Sequence, residues 1–114
     1  MKAMILAAGK GTRLRPYTDH KPKALVEVSH ITMLEHQINY LTSYGVDEII
    51  INIHHFPDMI RDFITQKKYQ IRIEFSDEQE QLLDTGGGLK KASWFFDDDN
   101  PFILIGIDIF TTLN

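Results

Sequence analysis

The chain has 114 residues, of which 43% are apolar and 25% charged, so we expect one small globular domain with its own core. It has no cysteine, which excludes disulfides and cysteine-based metal sites, and no apolar run approaches the roughly 18 residues needed to span a bilayer. The net charge of −4 argues against nucleic acid as a partner, and the first residues lack a signal-peptide pattern. We therefore expect a cytoplasmic protein with neither a nucleic-acid nor a membrane partner.

The first predicted element is a buried strand, Lys2–Ala7, and a cationic segment that contains glycine follows it directly. Gly9 and Gly11 allow backbone N–H groups to come close to a ligand. Cations are concentrated here although the chain as a whole is acidic, which indicates a site for an anion such as a polyphosphate. These cations include Arg13, Arg15, Lys21 and Lys23.

This segment fits neither of two common phosphate-binding motifs. It lacks the G-x-x-x-x-G-K-[ST] pattern of a P-loop. It also departs from the dinucleotide fingerprint G-x-G-x-x-G, because Leu14 stands where the third glycine lets a helix pack closely on the strand. Pro16 and Pro22 predict a long irregular loop from Gly9 to Lys23. A dinucleotide-binding domain is therefore the weaker interpretation.

Beyond this loop the pattern alternates helix and strand, which predicts an α/β fold with a mostly parallel sheet. Apolar residues recur at helical spacing over Thr32–Tyr44, and Pro57 opens a second helix. Thr85 is a candidate cap for a third helix that reaches Phe96. The remaining predicted strands are Glu48–Ile53, Ile71–Phe75 and Phe102–Ile107. The middle one alternates apolar and charged residues, as an edge strand does.

Two adjacent histidines, His54 and His55, follow the predicted strand Glu48–Ile53. Neighbouring residues at a strand end point to opposite sides, and no cysteine accompanies them. A structural role, or a position near the ligand, is therefore favoured over a zinc site.

Three motifs follow one another along the chain. The first is Leu6-Ala7-Ala8-Gly9-Lys10-Gly11-Thr12-Arg13-Leu14 with Pro22-Lys23-Ala24-Leu25-Val26; the second is Leu83-Asp84-Thr85-Gly86-Gly87-Gly88-Leu89-Lys90; the third is the strand Phe102–Asp108. Together they resemble the signature of the sugar-1-phosphate nucleotidyltransferases, and the match extends over essentially the whole chain. The Thr-Gly-Gly-Gly run is most similar to the muramate uridylyltransferase and mannose guanylyltransferase branches.

The resemblance implies roles for individual residues. Arg13 would contact the triphosphate and the departing pyrophosphate, and Lys23 would contact the α-phosphate or the incoming sugar phosphate, both as catalytic residues. Asp108 would be a ligand of Mg²⁺, although Gly106-Ile107-Asp108 stands where the family has Asn-Gly-Asp. The nucleotide would be bound by Ala8, Gly9, Gly11, Thr12, Glu78, Thr85, Gly86 and Gly87. In this set Glu78 would accept from the N–H donors of the base, which uracil and guanine both present.

The resemblance also implies a Rossmann-like three-layer nucleotidyltransferase fold, truncated after about the fourth strand. Residues 1–114 would be its N-terminal nucleotide-binding portion, without the C-terminal sugar-binding half. The implied reaction transfers a nucleotidyl group from a nucleoside triphosphate to a sugar 1-phosphate. UTP and GTP are the favoured donors. Two alternatives stay open: a non-catalytic nucleotide-binding or regulatory module, and an alcohol-phosphate cytidylyltransferase. Because a half-domain leaves apolar surface uncovered, we also expect a homo-oligomer.

Overall fold

A computed structural model of the chain describes residues 1–8, 19–78, 85–96 and 100–107. The strands are β1 (Lys2–Leu6), β2 (Glu27–Val28), β3 (Ile31–Thr32), β4 (Glu48–Ile53), β5 (Arg72–Asp77) and β6 (Phe102–Gly106). The helices are α1 (Met33–Ser43), α2 (Pro57–Lys67) and α3 (Thr85–Lys91), with short 3₁₀ turns at Lys23–Leu25 and Ser93–Phe95. Among these helices, none has the length and apolar character needed to cross a bilayer.

The main sheet contains four parallel strands in the order β5-β4-β1-β6, and β2 and β3 form a separate antiparallel pair. In the main sheet Leu6 lies opposite both Asn52 and Gly106, and Asn52 lies opposite Ser76. The predicted parallel α/β sheet is therefore confirmed, and β5 is an edge strand of the described sheet. Parallel pairing also brings the carboxyl ends of all four strands to one edge.

The sheet lies between two helical layers. On one face, Ile49 and Ile51 of β4 pack in a buried cluster with residues of α1 and α2, such as Leu34 and Ile60. On the other face, Ile50 and Met4 pack with Ala92 and Phe95, which follow α3. Side chains alternate across a strand, so a strand covered on both faces is apolar almost throughout. This arrangement confirms the three-layer fold.

Local signals explain where the helices begin and end. The hydroxyl oxygen of Thr32 accepts a hydrogen bond from the amide of Glu35 at 3.1 Å, which caps α1. Gly45 follows α1 with a φ of 87°, in the left-handed region that favours glycine. Pro57 is the first residue of α2. A backbone N–H at this position would have no acceptor within the helix, so proline loses no hydrogen bond there.

Some boundaries differ from those predicted. Strand β1 ends at Leu6 rather than Ala7, because the amide of Ala7 donates to the side chain of Asn52 instead of to a neighbouring strand. Strand β5 begins at Arg72 and continues to Asp77, two residues beyond its predicted end. The strand pair β2–β3 and the turn Lys23–Leu25 were not predicted, because elements of two or three residues carry no periodicity.

Candidate functional site

The carboxyl edge of the sheet brings together segments that are far apart in the sequence. Ala7 and Ala8 follow β1, Asn52 lies near the end of β4, and Glu78 follows β5. In open parallel α/β sheets, ligands bind beyond this edge of the strands. We therefore take this edge as the candidate site.

Asn52 joins β1 to this edge through its side-chain amide. Its Oδ1 accepts from the amide of Ala7 at 2.5 Å and from the amide of Ala8 at 3.1 Å. Its Nδ2 donates to Oε2 of Glu78 at 3.0 Å. Asn52 is buried, and so are the two alanines. The backbone that leads from β1 to the predicted phosphate-binding segment is thus hydrogen-bonded to a side chain of β4, the neighbouring strand in the sheet.

Glu78, a predicted nucleotide-binding residue, has no exposed surface in the described structure. Besides the bond from Asn52, its backbone amide donates to the carbonyl of Ile53 at 2.8 Å. Its carbonyl oxygen lies 2.6 Å from Nδ1 of His54, and since a carbonyl only accepts, Nδ1 carries the proton. Glu78 is therefore held by separate contacts from its side chain, its amide and its carbonyl to β4 and the residue that follows it.

The start of α3 approaches the same carboxylate. A Cβ atom on Gly88 would lie 2.9 Å from Oε2 of Glu78 and 3.3 Å from Nδ2 of Asn52. Gly86 and Gly87 precede it in the first turn of the helix. A glycine at 88 thus allows α3 to pack directly on the buried pair, which places the Thr-Gly-Gly-Gly turn at the carboxyl edge.

The neighbouring residue Asp77 anchors other parts of this edge. Its carboxylate forms an ion pair with Arg61 of α2 at 3.0 Å. Its backbone carbonyl accepts from the ammonium of Lys91 at the end of α3. Asp77 therefore connects α2, β5 and α3, while Glu78 beside it faces the interior.

Lys23, the predicted phosphate-contacting lysine, begins the 3₁₀ turn Lys23–Leu25. The amide of Val26 donates to the carbonyl of Lys23 at 3.1 Å, and the amide of Met33 donates to the carbonyl of Val26 at 2.9 Å. Ala24, the middle residue of this turn, is fully buried. The backbone of Lys23 is thus anchored next to the start of α1.

Several predicted site residues lie outside the described part of the chain. They are Gly9, Gly11, Thr12, Arg13 and Asp108. For Thr85 the structure describes the backbone, at the first position of α3, and not the side chain. The roles predicted for all of these residues, and for Ala8, Lys23, Glu78, Gly86 and Gly87, stay predictions.

Among the described residues, no group of three or more histidine, aspartate or glutamate side chains is arranged to hold a metal ion. His54 contacts the carbonyl of Glu78, and the ring of His55 packs against Phe56 with centroids 4.3 Å apart. Both contacts are of the structural kind expected for these histidines.

Asn52, which contacts Ala7, Ala8 and Glu78, was not predicted from the sequence. It is the one polar residue among the isoleucines that follow Glu48 in β4. A buried amide needs hydrogen-bond partners, so its place inside a strand covered on both faces was the available signal.

The chain is similar in sequence to a known family of enzymes. The family model for nucleotidyl transferases matches residues 2–114. The chain belongs to the nucleotidyl transferase family. The family resemblance seen in the three sequence motifs is thereby confirmed.

Named relatives of this nucleotidyl transferase chain act on sugar phosphates. It is 42% identical over 109 residues to N-acetylmuramate alpha-1-phosphate uridylyltransferase of Caulobacter vibrioides, with 93% of this chain and 45% of the relative covered. It is 43% identical over 112 residues to mannose-1-phosphate guanyltransferase of Hypocrea jecorina, with 96% of this chain and 30% of the relative covered. The chain therefore spans less than half the length of these relatives.

Solved structures of similar fold confirm the Rossmann-like nucleotidyltransferase architecture. HddC of Yersinia pseudotuberculosis, complexed with GMP-PN, has a TM-score of 0.81 and 31% identity, with 94% of this chain and 47% of that chain covered. CTP:phosphocholine cytidylyltransferase of Streptococcus pneumoniae has a TM-score of 0.74 and 34% identity, with 94% and 44% covered. The first of these structures is a complex with GMP-PN, and the second is of an enzyme named for CTP and phosphocholine.

Proposed function

We propose that residues 1–114 form the nucleotide-binding portion of an enzyme that transfers a nucleotidyl group from a nucleoside triphosphate to a sugar 1-phosphate. The observation that carries this proposal is the meeting of the β1 exit, Glu78 and the glycine turn of α3 at the carboxyl edge of a parallel sheet. The names of the uridylyltransferase and guanyltransferase relatives support UTP or GTP as donor and a sugar 1-phosphate as acceptor.

In this reaction an oxygen of the sugar phosphate forms a bond to the α-phosphorus of the triphosphate. The bond from the α-phosphorus to the oxygen bridging to the β-phosphate breaks, and pyrophosphate leaves with that electron pair. Positioning and charge neutralisation supply most of the catalysis in phosphoryl chemistry. We assign neutralisation of the departing pyrophosphate to the forked guanidinium of Arg13, and contact with the α-phosphate or sugar phosphate to Lys23.

The backbone of Gly9, Gly11 and Thr12 would cradle the phosphates, with Ala8 next to the nucleoside. The first turn of α3, with Thr85, Gly86 and Gly87, would lie against the base and ribose. This assignment agrees with the hydrogen bond that ties Ala8 to the same side chain that contacts Glu78.

Mg²⁺ fits the donor set that the family resemblance suggests. This ion is usually bound by one or two carboxylates together with substrate phosphates and water. The amide of Ile107, the residue before Asp108, donates to the carbonyl of Leu6 at 3.1 Å, so β6 ends beside the exit of β1. We propose Asp108 as the protein ligand, and the bound ion would neutralise charge on the triphosphate.

A non-catalytic nucleotide-binding module is the second candidate. On this view the chain binds a nucleoside triphosphate and does not turn it over. A cytidylyltransferase that acts on an alcohol phosphate is the third candidate, supported by the structural match at 34% identity.

The deciding experiment measures thermal stability of the chain with UTP, GTP, CTP, ATP or NAD, each with and without magnesium, and then pyrophosphate release with sugar 1-phosphates. A ligand that binds the native state raises the melting temperature. We expect a magnesium-dependent shift with UTP or GTP that Arg13→Ala abolishes. A shift with CTP alone would favour the cytidylyltransferase, binding without pyrophosphate release would favour the module, and a shift with NAD alone would refute the proposal.

We propose a cytoplasmic protein, in line with the absence of cysteine from the chain. We also propose self-association, since Trp94, Phe102 and Leu104 are 51%, 38% and 40% exposed among the described residues.

A further inference from the structure

The buried amide of Asn52 connects two parts of the candidate site that are assigned different tasks. One part is the exit of β1, where the predicted phosphate-binding segment begins. The other is Glu78 together with the start of α3, where the base is expected. Asn52 is 4% exposed, and it contacts both parts by hydrogen bonds of 3.1 Å or less.

The direction of these hydrogen bonds follows from the chemistry of the groups. A backbone N–H only donates, so the atom of Asn52 that faces Ala7 and Ala8 must be the carbonyl oxygen. The amide nitrogen therefore faces Glu78, whose Oε2 accepts. The hydrogen bonds therefore all run in one direction: the amides of the β1 exit donate to Asn52, and Asn52 donates to Glu78.

These hydrogen bonds also engage the backbone amides that follow the end of β1. In a parallel sheet the amide of Ala7 is a candidate for a bond to a neighbouring strand. Here the side chain of Asn52 takes it, and β1 ends one residue earlier, at Leu6. The amide of Ala8 is taken by the same oxygen, so both residues before Gly9 are oriented by one side chain.

We infer that Asn52 is a positioning residue, which orients the β1 exit for nucleotide binding and depends on its hydrogen bond to Glu78 to do so. This inference rests on the proposed function. On this view the carboxylate of Glu78 acts as the acceptor that fixes the Asn52 amide. The inference therefore differs from the sequence-based expectation that Glu78 reads the base.

Reversing the polarity of the pair tests the inference. Asn52→Asp keeps an acceptor for Ala7 and Ala8 but loses the donor, and it sets two buried carboxyls against each other. Adding Glu78→Gln restores a donor on the opposite partner, so the new amide at position 78 would donate to the new carboxylate at position 52. Asn39→Asp, on the exposed face of α1, is the matched control for the same chemical change.

The measurement is the affinity of each folded variant for GTP and for UTP with magnesium, by titration calorimetry from about pH 5 to about pH 8. Two facing buried carboxyls share a proton at low pH, and losing it as the pH rises leaves like charges in contact. We therefore expect Asn52→Asp to resemble wild type at the acid end and to bind at least about tenfold more weakly at the alkaline end. The charged or titratable groups nearby are His54, Asp77, Arg61 and Lys91, so each variant is compared with wild type at the same pH.

The reversed pair Asn52→Asp with Glu78→Gln should bind within about threefold of wild type at every pH. Glu78→Gln alone, which keeps an acceptor oxygen for Asn52, should lose less affinity than Glu78→Met, which removes that acceptor. The second result keeps the test decisive if Asn52→Asp does not fold at high pH.

Three results would overturn the inference. They are wild-type binding by Asn52→Asp across the pH range, failure of the folded reversed pair to recover affinity, and equal loss of affinity in Glu78→Gln and Glu78→Met. Each leaves nucleotide binding by the wild-type chain intact, so the proposed function would survive. If the wild-type chain binds neither GTP nor UTP, the proposed function fails and this inference fails with it.

Discussion

Gly88 packs so closely on Glu78 that a Cβ atom at this position would lie 2.9 Å from Oε2. That carboxylate is buried and bonded to Asn52, so it has no solvent into which it can swing. The contact explains why a residue with poor helix propensity occupies the first turn of α3. It also brings helix α3 against the hydrogen bond between Asn52 of β4 and Glu78, the residue after β5.

The first prediction concerns this contact. Gly88→Ala should lower the free energy of unfolding by about 1–3 kcal/mol, because the added methyl group overpacks a buried polar pair. Without the contact the same change would raise it by up to about 1 kcal/mol through helix propensity. Urea unfolding of the purified chain measures the difference. Gly86→Ala, at an exposed position of the same helix, is the stability control, and equal stabilisation of both variants would contradict the prediction.

The second prediction concerns the cap of α1. Thr32→Ala removes the oxygen that accepts from Glu35, and it should cost about 1 kcal/mol of unfolding free energy. Thr32→Ser keeps the oxygen and should recover most of that loss. Chemical unfolding monitored by circular dichroism tests both variants. Equal stability of the serine and alanine variants would show that the hydroxyl does not cap the helix.

The third prediction concerns the phenol of Tyr69. Burial, with the charge of Glu35 as a smaller cause, raises the pKa of Tyr69 from 10.0 to about 12. Because this pKa is higher in the folded than in the unfolded chain, the stability it contributes is complete below about pH 10 and is lost as the pH rises towards 12. Within the described part of the chain its hydroxyl has no hydrogen-bond partner, so Tyr69→Phe should cost little stability at neutral pH.

Alkaline titration of tyrosinate absorbance measures this effect. The difference between wild type and Tyr69→Phe should show one tyrosine that ionises later than an exposed one. The variant should also lose less stability than wild type in alkaline solution. A difference titration centred near about pH 10 would refute the burial of this hydroxyl.

The fourth prediction concerns self-association. Phe102 and Leu104 project from the same face of β6, and the ring of Phe102 stacks on Phe96 with centroids 4.0 Å apart. Leu104→Lys places a charge on this strand, which should block edge pairing and apolar contact and shift the chain towards monomer. Light scattering over a wide concentration range measures the mass. Tyr44→Lys, at another exposed aromatic residue, is the control, and a monomeric wild type would refute self-association.

Most of the fold could be predicted from local patterns. The β-branched run Glu48–Ile53 was predicted residue for residue, and the helix from Pro57 begins where proline is favoured. The predicted first strand was one residue too long. Its end depends on a bond from Ala7 to Asn52, two residues separated by 45 positions, and periodicity contains no information about such a contact.

The roles predicted for the site residues stay predictions, although the fold brings some of these residues together. The sequence pointed to Ala8, Glu78 and the glycine turn, and the fold brings these segments to one edge. It did not indicate the burial of the Glu78 carboxylate, because an acidic residue after a strand is usually solvated. The sequence also did not single out Asn52, because its hydrogen-bond partners follow two other strands, β1 and β5.

By itself, the sequence determined the order and type of the main helices and of the four strands of the main sheet, the parallel α/β class and the family, because these depend on periodicity, turn residues and short motifs. Only the tertiary structure decided that Asn52, Glu78 and Gly88 form one buried contact set. The physical reason is strand register. Leu6, Asn52 and Ser76 lie side by side through backbone pairing between distant segments, so which side chains meet depends on how the whole sheet is assembled.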